Sequence, residues 1–369
     1  MKLKRKAILI VSSLILIGVC AWLVWPKSTI EVTMLDQLGT QIQPKKVIEG
    51  RVGSRLSQKQ LSITGYKIGF KPKKRFETKK RKVVVRYKPT ANSKQLKREI
   101  ANYHYIGASF QVLNKGLGRY KQNYKKLTSE TDRLRILLSN DGIKWTRLAI
   151  NYPNIAVRDP NITKVGNRWW IIYTEGLMWT SNFQKWHYVI NPGFNLGSQF
   201  QRIWAPEIYR LKSGAYRVVS SNSIDGSTFQ LYSYSFNSQT GELSDLQKIK
   251  VNGDFSNLID PHVVYQHGVY KLWAKDEQRH RIVRATSIDG NVFKRTKSVT
   301  LPIQSGQTPE GPTELYRRKG NLLYFDLYNK HETFYGVQAV IFKNNRVVSK
   351  RYPLKADFMI RHFSVFEIR

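Results

Sequence analysis

The sequence predicts an all-β protein, a five-bladed β-propeller preceded by a transmembrane helix and a small basic β-rich segment. Three observations predict it. Motifs that set an acid near a proline recur through the C-terminal two-thirds, at Arg158-Asp159-Pro160, Trp204-Ala205-Pro206-Glu207, Ile259-Asp260-Pro261 and Glu310-Gly311-Pro312. Glycine turns leading into aromatic strands keep pace with them, at Gly166, Gly214, Gly268 and Gly320, which are 48, 54 and 52 residues apart. A repeat of about fifty residues is the size of a propeller blade. The third observation is an apolar run from Ala7 to Trp25 behind Lys2, Lys4, Arg5 and Lys6.

That run is long enough to cross a bilayer. Its positive flank, residues 1–6, is expected to stay cytoplasmic, which sends everything after Pro26 outside the cell membrane. The rival is a cleaved signal peptide and a secreted protein. No small-x-small cleavage site follows, and the run ends in Trp22 and Trp25, as an anchor would. Cys20, the only cysteine, sits inside the run, so the exported portion has neither disulfide nor thiolate metal site.

The chain holds 62 Lys and Arg against 25 Asp and Glu, a formal net charge of +37 at pH 7. Such a charge draws anionic partners. Export removes nucleic acid from that set and leaves lipid headgroups and anionic envelope polymers. From Lys45 to Lys126 only Glu49, Glu77 and Glu99 are acidic. Residues 26–100 read as a basic stalk or small β module, because Lys82-Val83-Val84-Val85-Arg86-Tyr87 has strand character. Beside an anchor, such a segment is expected to meet headgroups or envelope polymers.

Residues 101–369 carry the propeller. In four units a motif leads a strand, a glycine turn follows and an aromatic strand returns, with Trp169 and Trp170 expected in a blade core. Turns followed by an aromatic, at Asp141–Trp145, Asn182–Trp186 and Asp289–Phe293, mark outer hairpins. Four motifs give four blades. A fifth is assembled from strands between 103 and 150 and the final run Phe358 to Ile368, which closes the ring and removes its open edge. Five is the count, with four and six as the neighbouring alternatives.

A strand entering a propeller channel presents its first residues to the cavity. Proline after Asp159 and Asp260 is expected to hold the preceding backbone extended. Cleaving a glycosidic bond takes two carboxyl groups, one to protonate the leaving oxygen and one to activate water or attack carbon. A third nearby acid can raise the donor's pKa by like-charge repulsion.

With four motifs in order at blade spacing, residues 150–325 resemble glycoside hydrolase family 43, five-bladed propellers that act on arabinosides and xylosides. The resemblance implies inversion, with Asp159 as general base, Asp260 tuning and orienting the acid, and Glu310 as general acid. It makes Trp204 and Glu207 part of a sugar pocket and gives a loose match for an axial histidine at His362, beside Arg361. His262 is a further pocket candidate. Each has a structural alternative: packing for Trp204, a loop hydrogen bond for Glu207, and satisfied burial for His262 and His362. No cofactor is required, and an axial calcium ion is the one metal the resemblance allows. The expected partner is an oligo- or polysaccharide. The competing functions are a silent glycan-binding propeller and a glycoside phosphorylase, the latter needing basic residues on the attack side.

Overall fold

The structure, a computed structural model, describes residues 26–37, 39, 41–69, 74–112, 132–196, 199–253, 256–296, 299–329 and 333–369. The helix expected over residues 7–25, with the cytoplasmic residues 1–6, lies outside them. Among the described residues no helix is long and apolar enough to cross a membrane. The chain divides into two compact units after Thr90. The helix Ser93–Ala101, which the sequence places at the end of the basic segment, therefore belongs to the second unit. Asn92 caps it by accepting from the Gln95 N–H, and Leu96 and Ile100 form its buried face.

The first unit is a β module of four strands in the order Lys46–Arg51, Lys27–Leu35, Arg81–Pro89, Tyr66–Ile68. Its central pair is parallel, with Val32 opposite Val83 and Met34 opposite Val85. Alternation decides the faces. Along Arg81–Pro89 the buried residues are Val83, Val85 and Tyr87, while Lys82, Val84, Arg86 and Lys88 face out. The high lysine and arginine content is thus compatible with an apolar core.

The second unit is built of five sheets, here blades I to V, antiparallel except for the outermost pair of blade III, Lys250–Asn252 with Val292–Arg295, which is parallel. Their innermost strands are Asn161–Val165, Arg202–Arg210, Leu258–Gln266, Gln307–Leu315 and Ser364–Glu367. Each touches the next, and the last touches the first, so the ring closes. Blades I to IV are continuous in sequence. Blade V takes its innermost strand from the C-terminus and its other strands, Tyr105–Val112, Asp132–Ser139 and Thr146–Arg147, from the start of the unit. The seam pairs Ser364 with Ala108 and Glu367 with Tyr105. Trp170, Tyr234, Trp273 and Tyr324 are fully buried between blades. Asp141, Asn182 and Asp289 each accept two backbone N–H groups, fixing the outer turns of blades V, I and III.

Gly107 lets the seam close, because a Cβ there would stand 2.5 Å from the Phe363 ring and 3.0 Å from the Ser364 carbonyl oxygen. Gly107→Ala is expected to cost about 1–3 kcal/mol in urea unfolding, the usual range for overpacking. An unchanged midpoint would show that Phe363 swings aside freely.

The innermost strands repeat a backbone feature. Asp159, Ala205, Asp260, Gly311 and His362 all have positive φ, at 50°, 44°, 53°, 54° and 35°. They are 46, 55, 51 and 51 residues apart. The expected extended backbone before Pro160 and Pro261 is therefore corrected. Proline keeps the preceding residue out of the right-handed helical region, but Asp260 is taken to positive φ within a bulge, and Asp159, just before its strand, adopts the same conformation. Register shifts lie at Trp204/Glu207, Ile259/His262 and Glu310/Thr313, at the same place in blades II, III and IV. A bulge bends its strand and re-aims a side chain. Strain of about 1–3 kcal/mol per non-glycine residue in such a conformation is typical of functional sites.

Candidate active site

The five positive-φ positions are linked to one another. The Thr174 hydroxyl donates to Asp159 Oδ2 at 3.2 Å and accepts the Ala205 N–H at 3.3 Å. The Gly311 N–H donates to Asp260 Oδ2 at 3.0 Å. His362 Nδ1 lies 3.6 Å from Asp159 Oδ1, and a Cβ on Gly311 would stand 3.2 Å from that same nitrogen. Asp159 and Asp260 are thus gathered around His362, and Glu310, one residue before Gly311, lies close enough to Asp260 to repel its carboxylate. The blade II motif differs from its neighbours: the position equivalent to Asp159 and Asp260 is held by Ala205, and Glu207 falls two residues further on.

Those later positions form a buried layer of Asn161, Glu207, His262, Thr313 and Ser364. They join adjacent blades. Asn161 Oδ1 accepts from the Ile208 N–H at 3.1 Å, Ser364 Oγ accepts from the Ile162 N–H at 3.0 Å, and Glu207 Oε2 lies 2.7 Å from His262 Nδ1. Burial disfavours an imidazolium at His262, but the Glu207 carboxylate overcomes this and raises its pKa. Glu207 and His262 thus engage each other across the innermost strands of blades II and III. Trp204 is half-buried and stacks on Phe229, with ring centroids 4.2 Å apart. Trp169 and Trp170 are in the blade core.

The axial carboxyls have divergent environments. Burial pushes the Asp159 carboxyl up, yet His362, Arg158 and Arg361 together hold it below the ordinary carboxylate value. Burial, aided by repulsion from Glu310 and Asp159, raises Asp260 to about 6. His362 is shifted upward: burial opposes its charge, but Asp159, Asp260, Asp326 and Glu207 outweigh it. The side chains of Asp159 and Glu310 retain 16% and 30% exposure, enough to meet water and substrate.

Two site residues escaped the sequence motifs. Lys275 is 2% exposed and donates a short hydrogen bond to Glu310 and another of 3.0 Å to Glu277. Burial alone would lower its pKa, and the two carboxylates instead raise it. Asp326, opposite Glu310 in the ladder, accepts the His362 N–H at 3.1 Å, and burial pushes its carboxyl up to about 7. The signal for both was a charge inside an apolar strand, in Leu272-Trp273-Ala274-Lys275 and Tyr324-Phe325-Asp326-Leu327. Among the described residues no three His, Cys, Asp or Glu side chains are arranged to hold a metal ion.

No family model matches the chain, and no curated protein matches it. Solved structures do. An endo-1,4-β-xylanase from Bacteroides thetaiotaomicron is 11% identical, over 63% of this chain and 90% of that one, with a TM-score of 0.47. A thermostable family-43 glycoside hydrolase is 12% identical over 60% and 87%, with a TM-score of 0.48. The native arabinanase of Bacillus subtilis is 16% identical over 62% and 87%, with a TM-score of 0.39. The chemistry is therefore read from this chain's own residues.

Proposed function

We propose that this protein is a glycoside hydrolase that cleaves O-glycosidic bonds by inversion, in arabinose- or xylose-containing or related polysaccharide at the cell surface. One observation carries the reading: Asp159, held ionised, and the protonatable Asp260 beside Glu310 meet at one axis. A carboxylate held ionised with further carboxyls across the same axis is the arrangement that divided base and acid roles require. Asp159 takes a proton from water, and the resulting hydroxide oxygen bonds to the anomeric carbon as the glycosidic C–O bond breaks. Glu310 gives its proton to the departing oxygen. Asp260 fixes the Gly311 backbone next to that acid, and Lys275 positions the Glu310 carboxyl. Residues 7–25 would hold the enzyme at the membrane with its catalytic unit outside, and the basic first unit would meet anionic headgroups or polymers.

The test is the leaving group. Glu310→Gln is expected to lower turnover of an alkyl glycoside by about 10²–10⁴-fold. A 2,4-dinitrophenyl glycoside, whose leaving group needs no proton, should lose far less. Equal losses on both would remove Glu310 as the acid, and an inactive wild type across aryl furanosides and pyranosides would favour a silent glycan-binding propeller. Arg158 and Arg361 beside Asp159 support a second reading, attack by phosphate instead of water. Phosphate-dependent release of a sugar 1-phosphate would distinguish it.

A further inference from the structure

Between blades III and IV lies a cavity of about 300 Å³. Among the described residues its wall carries Lys271, Arg284, Arg317, Arg318 and Lys343, against one carboxylate, Glu314. It is remote from the acids. The innermost strands carry Asp260 and Glu310 near their starts, whereas the cavity residues His267 and Tyr316 directly follow their ends. At about 3.3 Å per residue, Glu310 and Tyr316 are roughly 20 Å apart along the strand, which puts the cavity at the opposite face of the ring.

Arg284 and Lys271 are built in, Arg317 is held by the Gly320 and Asp141 carbonyl oxygens, and Arg318 and Lys343 are exposed at the mouth. Arg284 is 8% exposed, and its guanidinium lies 5.4 Å over the Trp273 ring and 5.5 Å over Phe342. Its Nη1 donates to Asn345 Oδ1 at 2.7 Å, while its buried Nε has no acceptor among the described residues. Lys271 lies two residues from Trp273 on the same face of the strand, and Trp273 pairs directly with Arg284. Glu314 is committed elsewhere, accepting from Trp273 Nε1 at 2.8 Å and from Asn321. Burial holds both Arg284 and Lys271 below their ordinary pKa values despite Glu314. Desolvated cations short of countercharge are costly, and an oxyanion is what would relieve them.

The volume is that of a small-molecule site rather than of a bare ion. At the rim stands Tyr316, 44% exposed and edge-on to His267 at 5.7 Å, a platform for a sugar ring. We propose that this cavity binds a phosphorylated sugar unit, its phosphate on Arg284, Lys271 and the Arg317-Arg318 turn and its ring against Tyr316. The unit is either free or part of a phosphodiester-linked glycan. The site is independent of the catalytic reading, since none of its residues touches the axial acids.

Titration calorimetry of the full chain at fixed ionic strength tests it with glucose 6-phosphate, glucose and inorganic phosphate. Glucose 6-phosphate should bind, glucose should not, and inorganic phosphate should bind about tenfold more weakly. Lys271→Gln and Arg318→Gln should each weaken glucose 6-phosphate by about tenfold, the loss of one charge-assisted hydrogen bond. Lys248→Gln, an exposed lysine on blade II, is the control for general charge. Arg284 is left alone because its stacking supports the fold. Competition by poly(glycerol phosphate) assigns the polymer-borne unit, and no competition assigns the free one. Affinity that ignores both cavity substitutions, or falls equally with the Lys248 control, overturns the proposal.

Discussion

Asp159→Asn is expected to lower kcat/KM on a cleavable glycoside by about 10²–10⁴-fold while the protein stays folded. The amide has the volume of the acid and can still accept from Thr174, but it cannot take a proton from water. Asparagine is also among the few residues that tolerate positive φ, so the 50° backbone of this position is preserved. Loss of the carboxylate removes the strongest counter-charge of His362, which should then titrate at lower pH. Two readouts follow, a rate and an imidazole NMR shift. Wild-type turnover in a folded Asp159→Asn protein would remove Asp159 from the chemistry, whatever happened to the histidine.

Asp326→Asn is expected to stabilise the protein at pH 8 and to change little at pH 4. Folding raises this carboxyl from 3.8 to about 7. Below 3.8 it is protonated in both folded and unfolded chains. Between 3.8 and about 7 the folded chain keeps a proton that the unfolded chain has released, so stability falls as pH rises through that window. Above it the full cost of the buried charge persists, on the order of a few kcal/mol. Asparagine removes the charge and can still accept the His362 N–H. Urea unfolding at the two pH values reads the difference, and an equal effect at both would mean that Asp326 acts by shape alone.

Much of the fold was legible because a propeller blade is a local unit. A strand, its glycine turn and its returning strand lie within one stretch of sequence, so Gly166, Gly214, Gly268 and Gly320 announce blades without tertiary information. The seam of blade V was legible too, from the need to cover an open edge. The bulges were not. A proline reports only what the preceding residue avoids, and one inserted residue reverses the face that each side chain occupies. Ala205 rather than Glu207 holds the axial position of blade II for that reason.

Residue pattern alone therefore established an all-β ring with acids set at blade intervals, and a charge of +37 that calls for anionic company. Only the folded chain decided which charges meet. Lys275 reaches Glu310 across 35 residues of sequence, Asp326 holds the His362 backbone across 36, and Glu207 finds His262 across 55. Coulomb energy and desolvation depend on distance and burial in space. Neither quantity is encoded in any local window of the chain, and so the charged partners of the proposed acid and base became apparent only once the blades had closed.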